Sequence, residues 1–268
     1  MDDLVDSGTK IAPSAHVSNK AEIGNGSTIE HGAVIGEKVR IGPNVRIGAY
    51  TVIEGRTTIG NNCNISHHCC LGAPPQDLKY KGEDTELFIG DNNVIREFAT
   101  IHLGTATGHG KTVVGNNCFL MAYIHIAHDC SVGSNVIMAN AATLAGHIEV
   151  HDNAILGGLT AVHQFTRIGK LAIVGGCSAV SQDVLPFSKV AGNHAMTYGL
   201  NSIGLRRAGF SSESILILKK AFRLFFSSKL PRKEALDTIQ KEFGHLQEIA
   251  YFLSFIKSSK RGVCKKVR

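Results

Sequence analysis

Residues 114–132 read Val114-Gly-Asn-Asn-Cys-Phe-Leu120-Met-Ala-Tyr-Ile-His-Ile126-Ala-His-Asp-Cys-Ser-Val132. Every sixth residue is aliphatic, and the period continues through Met138, Leu144, Val150, Leu156, Val162, Ile168, Val174 and Val180. Six is neither the helical period of 3.6 nor the strand period of 2.0. A sustained hexapeptide period is the sequence signature of a parallel β-helix. Three hexads make one triangular coil, so residues about 18 apart stack on successive coils. By that spacing His128 stacks on Gly146 and then Gln164, with His147 and His163 alongside. Imidazoles from successive coils gather near one line, which marks the candidate active site.

The same period runs backward to Ile11 through Val17, Ile23, Ile29, Ile35, Ile41, Ile47, Ile53, Ile59, Ile65 and Leu71. It breaks at Ala73-Pro-Pro-Gln-Asp-Leu-Lys-Tyr-Lys-Gly-Glu-Asp84 and resumes at Ile89 in phase. Two prolines and several charges exclude a buried strand there. A polar loop projecting from a rigid solenoid is a natural place for function. A second loop shifts the phase by one before Val114. The reading is therefore a β-helix over 1–188, with loops near 73–88 and 104–112, and a separate helical region over 189–268.

In that second region Ser211 or Ser212 is suited to cap a helix with Glu213 in its first turn. Ile215, Leu218, Phe222, Phe225 and Phe226 form its apolar stripe. Pro231 suits the first turn of a second helix, with Ala235, Leu236 and Ile239 inward. Leu246, Ile249, Ala250, Leu253 and Ile256 mark a third. From Gly262 onward the basic tail is expected to fray.

Charge divides along the same line. Residues 1–188 carry a net of −5 and residues 189–268 a net of +11. The basic region calls for an acidic partner: a nucleic acid, an acidic protein or a membrane surface. The seven cysteines show no C-x-x-C spacing. Cys63, Cys69, Cys118 and Cys130 share the hexad place that Ala or Ser fills elsewhere, so they read as compact core fillers in a reducing compartment. The start, Met1-Asp-Asp, is acidic with no apolar leader behind it. No apolar run approaches spanning length. The expectation is a cytoplasmic protein, and three flat sides favour a closed cyclic trimer.

Most of the 13 histidines call for no role. His16, His31 and His151 read as exposed repeat positions. His125, His128, His147 and His163 differ because coil spacing clusters them. A histidine with an ordinary pKa accepts a proton at neutral pH. Asp129 is placed to orient His128 only if a corner brings the two side chains together, since strand neighbours point apart. Gly146 offers a backbone N–H where an oxyanion develops.

Several stretches together resemble the UDP-N-acetylglucosamine O-acyltransferases that begin lipid A synthesis. They are Pro75-Gln-Asp-Leu-Lys-Tyr80, Ile95-Arg-Glu97, His125-Ile-Ala-His-Asp-Cys130, Leu144-Ala-Gly-His147, Ala161-Val-His-Gln-Phe165, Gly175-Gly-Cys-Ser178, Gly192-Asn-His-Ala195 and Gly204-Leu-Arg-Arg207. They span nearly the whole chain. The resemblance implies a left-handed parallel β-helix followed by a small α-helical C-terminal domain, assembled as a homotrimer, with no cofactor and no metal. The implied reaction moves a (3R)-hydroxyacyl chain from acyl carrier protein to the glucosamine 3-hydroxyl. By resemblance His128 would be the general base, Asp129 its support and the Gly146 N–H the oxyanion donor. His125, His147, His163 and Gln164 would shape a site between two subunits. Asp77 and Lys79 would reach the nucleotide sugar, Asn201 and Arg207 its nucleotide end, and Gly176 would line the acyl channel. The basic helices would dock the carrier protein, without nucleic acid and without stable membrane insertion.

Other readings stay open at this level. A γ-class carbonic anhydrase needs three histidines on Zn²⁺ but leaves the basic helices and the Gln-Asp-Leu-Lys loop without a purpose. An ice-binding scaffold calls for rows of threonine that are absent. The N-acyltransferase of the same pathway usually carries an extra N-terminal domain. An O-acyl or an N-acyl product, on a 3-amino sugar, and the acyl length are not fixed by these residues.

Overall fold

Each hexad closes with a two-residue strand whose second member is the periodic aliphatic, as in Arg46–Ile47, Phe119–Leu120 and His125–Ile126. Successive strand residues point to opposite faces, so Ile47, Leu120 and Ile126 are fully buried while Arg46 is exposed. The chain then bends through a residue in the left-handed region. Asn44, Asn62, Asn92, Asn117, Asn135 and Asn153 occupy one such corner, with φ between 56° and 59°. Asparagine tolerates this conformation better than most side chains. The Asn44 amide donates to Asn62 Oδ1 at 3.3 Å and the Asn62 amide to Asn92 Oδ1 at 3.2 Å, so the corner is also a ladder.

The computed structural model describes residues 8–227 and 230–267. The start Met1-Asp-Asp, residues 228 and 229, and Arg268 at the end of the basic tail lie outside the described residues. Strands of the three sides stack into sheets of 11, 9 and 8 strands. All pair in parallel except one hairpin. The register is 18 in regular coils, Lys10 facing Thr28 and Thr28 facing Arg46. It stretches to 30 where Asn62 meets Asn92 and to 25 where Thr100 meets His125. Those two steps hold the excursions. Strands Cys70–Ala73 and Glu86–Ile89 bracket the first, so it covers 74–85 and not 73–88; Leu87 is already core, 1% exposed. Strands Thr100–His102 and Lys111–Val114 bracket the second, at 103–110.

The predicted small-residue slots hold. Cys63, Cys69, Cys118 and Cys130 are buried and free, and the Cys130 thiol donates to Ala145 O at 3.0 Å. Burial pushes the Cys69 thiol up to about 11 and Cys130 up to about 12. Both stay protonated at neutral pH and act as packing groups, not nucleophiles.

Beyond the coil, strand Ser188–Ala191 extends the first side and pairs antiparallel with Met196–Leu200. The region expected to be helical over 189–268 thus opens with a hairpin, which the hexad period does not reveal because it ends at Leu185-Pro186. Four helices follow among the described residues: α1 Ser202–Arg207, α2 Ser212–Ser227, α3 Arg232–Phe243 and α4 Gln247–Lys257. The Ser214 N–H donates to Ser211 Oγ at 3.0 Å, which makes Ser211 the cap of α2. A second apolar cluster joins Leu171, Leu185 and Phe187 of the coil to Leu218, Phe222, Ile249 and Phe252. On α4 the inward face is rotated from expectation. Ala250 is exposed, and Phe252 and Phe255 are buried with Ile249 and Leu253. Phe255 is drawn in by Arg167, whose guanidinium sits 4.3 Å from its ring centroid. Arg167 also donates to Asp183 Oδ2 at 3.0 Å and to Phe255 O at 2.9 Å, which ties the coil to α4.

The basic tail does not fray as expected. Val263 bridges to Asp183 and Lys266 to Thr197, and Cys264 is 1% exposed. Val263 and Cys264 pack inward while Lys265 and Lys266 remain outside. No helix of the described residues is long and apolar enough to cross a membrane.

Candidate active site

Ala127-His128-Asp129-Cys130 turns the chain from strand His125–Ile126 to strand Ser131–Val132. Asp129 holds φ at 58°, the left-handed corner geometry. This bend brings adjacent side chains together, which a strand would not. His128 Nδ1 lies 2.8 Å from Asp129 Oδ2. One coil on, His147 occupies the same corner at φ 61°, and its N–H donates to His128 O at 3.0 Å. The two rings meet edge to face with centroids 5.0 Å apart. Phe165 takes the corner of the next coil and stacks on His147 at 4.5 Å. Gly146 lies beneath the His128 ring: a Cβ there would sit 2.5 Å from His128 Cε1. A side chain at that position would push the imidazole away.

The Asp129 side chain is fully buried. Its oxygens accept from the Thr105 N–H (3.1 and 3.2 Å), the Thr105 hydroxyl (2.6 Å) and the His109 N–H (2.8 Å), besides His128. Burial alone raises its pKa, but the Thr105 hydroxyl, the His128 ring and the two N–H donors outweigh burial and leave the carboxyl below its ordinary value. An ionised carboxylate only accepts. The His128 Nδ1 that faces it therefore carries a proton, and in the neutral ring the lone pair falls on Nε2.

Two further imidazoles stand behind this corner. His125 Nδ1 meets Thr100 Oγ1 at 2.7 Å, and His102 packs edge-on against the His125 ring at 4.9 Å. His102 is 6% exposed and its Nδ1 has no hydrogen-bond partner. Burial, with His125 and His128 adding to it, pushes His102 down to about 4; burial likewise lowers His125. Burial also lowers His147 against the opposing pull of the Asp129 carboxylate. His102, His125 and His147 are therefore favoured as neutral imidazoles at neutral pH.

A cavity of about 840 Å³ opens from Asp129 and His147 and runs along the third side to Lys170, Phe187 and Tyr251 beside the helices. His151 lines it and contacts the Tyr251 hydroxyl at 2.8 Å. It is half-buried, not the exposed repeat position its spacing suggested. Ligand atoms of His128, Asp129 and His147 lie within 4.8 Å of one another. That set is two imidazoles and one carboxylate, not the three imidazoles of the zinc reading, and the carboxylate is already committed to four donor groups.

The comparisons with known proteins agree with one another. A family described as UDP N-acetylglucosamine O-acyltransferase, domain 2, matches residues 183–264, and one described as bacterial transferase hexapeptide (six repeats) matches 38–73 and 111–146. An acyl-[acyl-carrier-protein]–UDP-N-acetylglucosamine O-acyltransferase of Thermodesulfovibrio yellowstonii is 56% identical over 195 residues, 73% of this chain and 76% of that protein. One of Syntrophobacter fumaroxidans, with the same description, is 51% identical over 196 residues, 73% of this chain and 76% of that protein. The solved UDP-N-acetylglucosamine acyltransferase of Campylobacter jejuni superposes with a TM-score of 0.91 at 40% identity, over 96% of this chain and 100% of that one. The chain belongs to the UDP-N-acetylglucosamine O-acyltransferase family. The fold expected from that resemblance, a left-handed parallel β-helix followed by a small helical domain, is the fold it has.

The other residues carried over from the acyltransferase family are spread more widely. Asp77 lies in the first excursion, where its Oδ1 accepts the Lys79 N–H at 3.0 Å, and its charge acts on His147. Lys79 is exposed. His163 is exposed, and its ring nitrogen faces Gln164 O at 3.1 Å. It lies 36 residues, two coils, beyond Ala127 and so shares a column with Ala127 and Ala145, one place off the His128 line. Gln164 is exposed on the His128 line itself, two coils away. Asn201 is buried as the cap of α1: its Oδ1 accepts the Gly204 N–H and its amide donates to Leu171 O at 2.9 Å. Arg207 is exposed at the end of α1, and Gly176 is exposed beside the Cys177 corner. Among the described residues no hydrogen bond or ring contact joins His163, Gln164, Asn201 or Arg207 to His128. Thr105, His109 and His102 were missed by the sequence reading. The only signal for the first two was that their loop shifts the hexad phase just before the histidine coil.

Proposed function

We propose that this chain transfers a (3R)-hydroxyacyl group from acyl carrier protein to the 3-hydroxyl of UDP-N-acetylglucosamine, the first step of lipid A biosynthesis. Membership of the acyltransferase family supports the reaction class and both substrates. The observation that carries the residue assignment is the His128–Asp129 pair at 2.8 Å, with Nε2 left as the basic nitrogen. His128 Nε2 takes the proton of the 3-hydroxyl as that oxygen attacks the thioester carbonyl. The Gly146 N–H, which donates no hydrogen bond among the described residues, holds the oxyanion of the tetrahedral intermediate. Collapse breaks the C–S bond, and the imidazolium returns its proton to the departing thiolate. The products are the 3-O-acyl sugar and the free carrier thiol, with no cofactor consumed. Asp129 keeps His128 in the productive tautomer.

His125, His147 and Asp77 contribute from the same chain as His128. Lys79 reaches toward the nucleotide phosphates as a point charge. His163, Gln164, Asn201 and Arg207 act from a neighbouring subunit of a homotrimer, which is how residues spread along one chain meet in one site. Gly176 leaves space for the acyl chain. The carrier protein docks on the basic helices. We place the division between coil and helical domain near residue 188, just after the hexad period ends, and the enzyme in the cytoplasm.

The deciding experiment supplies UDP-N-acetylglucosamine with hydroxyacyl carrier proteins of graded length and identifies the product by mass. An ester on the 3-oxygen is the expected product. A 3-amino sugar accepted in preference would make the product an amide. His128→Ala is expected to lower turnover by roughly 10²–10⁴-fold while the protein stays folded.

A further inference from the structure

Between strands His125–Ile126 and Ser131–Val132 the chain turns its corner in four residues, but between Thr100–His102 and Lys111–Val114 it takes eight. The insertion lies one coil above Asp129 and closes over its carboxylate. Gly108 and Gly110 donate their N–H groups to Thr105 O at 3.1 and 3.0 Å, which curls the loop so that the Thr105 N–H, the Thr105 hydroxyl and the His109 N–H converge on Asp129. Gly104 donates to Glu86 O at 3.2 Å and anchors the loop to the strand after the first excursion. Gly108 lies flat against the carboxylate: a Cβ there would be 2.4 Å from Asp129 Cγ and 2.5 Å from each oxygen. Thr105 is 2% exposed. A buried carboxylate without donors is strongly disfavoured, so the loop supplies what Asp129 needs in order to be both ionised and immobile.

We propose that Thr105 and Gly108 are positioning residues for acyl transfer: the 103–110 loop fixes the Asp129 carboxylate, and through it the His128 imidazole. The proposal rests on His128 being the general base. Thr105 and His128 donate to the same oxygen, Oδ2. They share its charge, so the Thr105 hydroxyl sets how strongly Asp129 holds the imidazolium. Removing that hydroxyl leaves Oδ2 to His128 and the longer bond from the Thr105 N–H, and raises the affinity of His128 for its proton. The titratable groups that feel His128 are His147 one coil on, His125 on the preceding strand and His102 one coil above; Asp77 and His109 act on His147. All remain in place in the variants below.

The test measures acyl transfer by the full chain as a function of pH. Thr105→Val is expected to lower kcat about tenfold, the order of one hydrogen bond to a charged group, with little change in either KM. The acid limb of its kcat/KM profile moves to higher pH. Thr105→Ser restores both. Gly108→Ala, which keeps every donor but displaces the carboxylate, lowers kcat at least as much. In an Asp129→Ala background neither substitution costs further turnover, because the group they position is gone. A folded Thr105→Val enzyme with the wild-type kcat and acid limb overturns the proposal. So does an equal loss from Thr105→Val with or without Asp129. Full activity in His128→Ala removes the general base and this proposal together, whereas an inactive His128→Ala beside a normal Thr105→Val removes this proposal alone.

Discussion

At the scale of single residues the left-handed corner does most to build the site. Asp129 and His147 are not glycines, yet both hold φ near 60°, and only that bend lets sequence neighbours share one pocket. The coil spacing made the His128–Gly146 stacking legible in the sequence. The same arithmetic set His163 one place off that line, alongside Gln164, but could not say which way its side chain turns. Gly146→Ala puts a methyl against His128 Cε1; kcat is expected to fall by about 10²-fold, the cost of a misplaced catalytic group, with the nucleotide-sugar KM nearly unchanged in steady-state assays. His102 gives a pH prediction. Its unfolded pKa is 6.5 and its folded value about 4. Between those values the unfolded chain binds a proton that the folded chain does not, so the His102 contribution is fully present above pH 6.5 and is lost as pH falls through 4. The full effect is about 3 kcal/mol. Urea midpoints of His102→Asn should therefore fall less than those of the parent chain between pH 7 and pH 4.5.

At the scale of elements the hexad period disclosed every side of the coil, because each aliphatic must face the single shared core. It was silent about the excursions beyond their existence, since a loop is held by individual donors such as Thr105 and not by a period. Helix α4 shows the other limit: Ile249 and Leu253 were recognised as inward but Phe252 and Phe255 were not, because the inward face depends on Arg167, 88 residues earlier in the chain. The Asp183 side chain paired with Arg167 is 1% exposed. Arg167→Ala leaves that buried carboxylate without its cation, with only the residue-167 N–H and the Ser259 hydroxyl as donors, and removes the stacking on Phe255, so we expect a loss of roughly 3–5 kcal/mol, read from urea unfolding.

At the scale of the whole molecule, charge and assembly carry the expectations. Lys219, Lys220 and Arg223 are exposed on α2. Reversing all three should weaken use of the carrier-bound donor and flatten its dependence on salt, as measured by initial rates from low to high ionic strength. If sites are shared between subunits, co-expressing His128→Ala with Arg207→Ala should recover part of the activity that either variant lacks alone. A mixed oligomer then contains some boundaries where both residues are intact.

Coils stacked in a row touch only their neighbours, so opening spreads from an end inward. At the N-terminal end Ile11 and Val17 are only partly covered, whereas Ile126, Leu144 and Leu156 are sealed. The imidazoles therefore sit in the middle of the column, braced above by earlier turns and below by later turns and the helices. Amide exchange should be quickest around residues 10–29 and slowest near 119–162. On the proposed assignment, chemistry would be performed in the stiffest segment of the polypeptide, and substrates would arrive and depart through the excursion loops and helices at its margins.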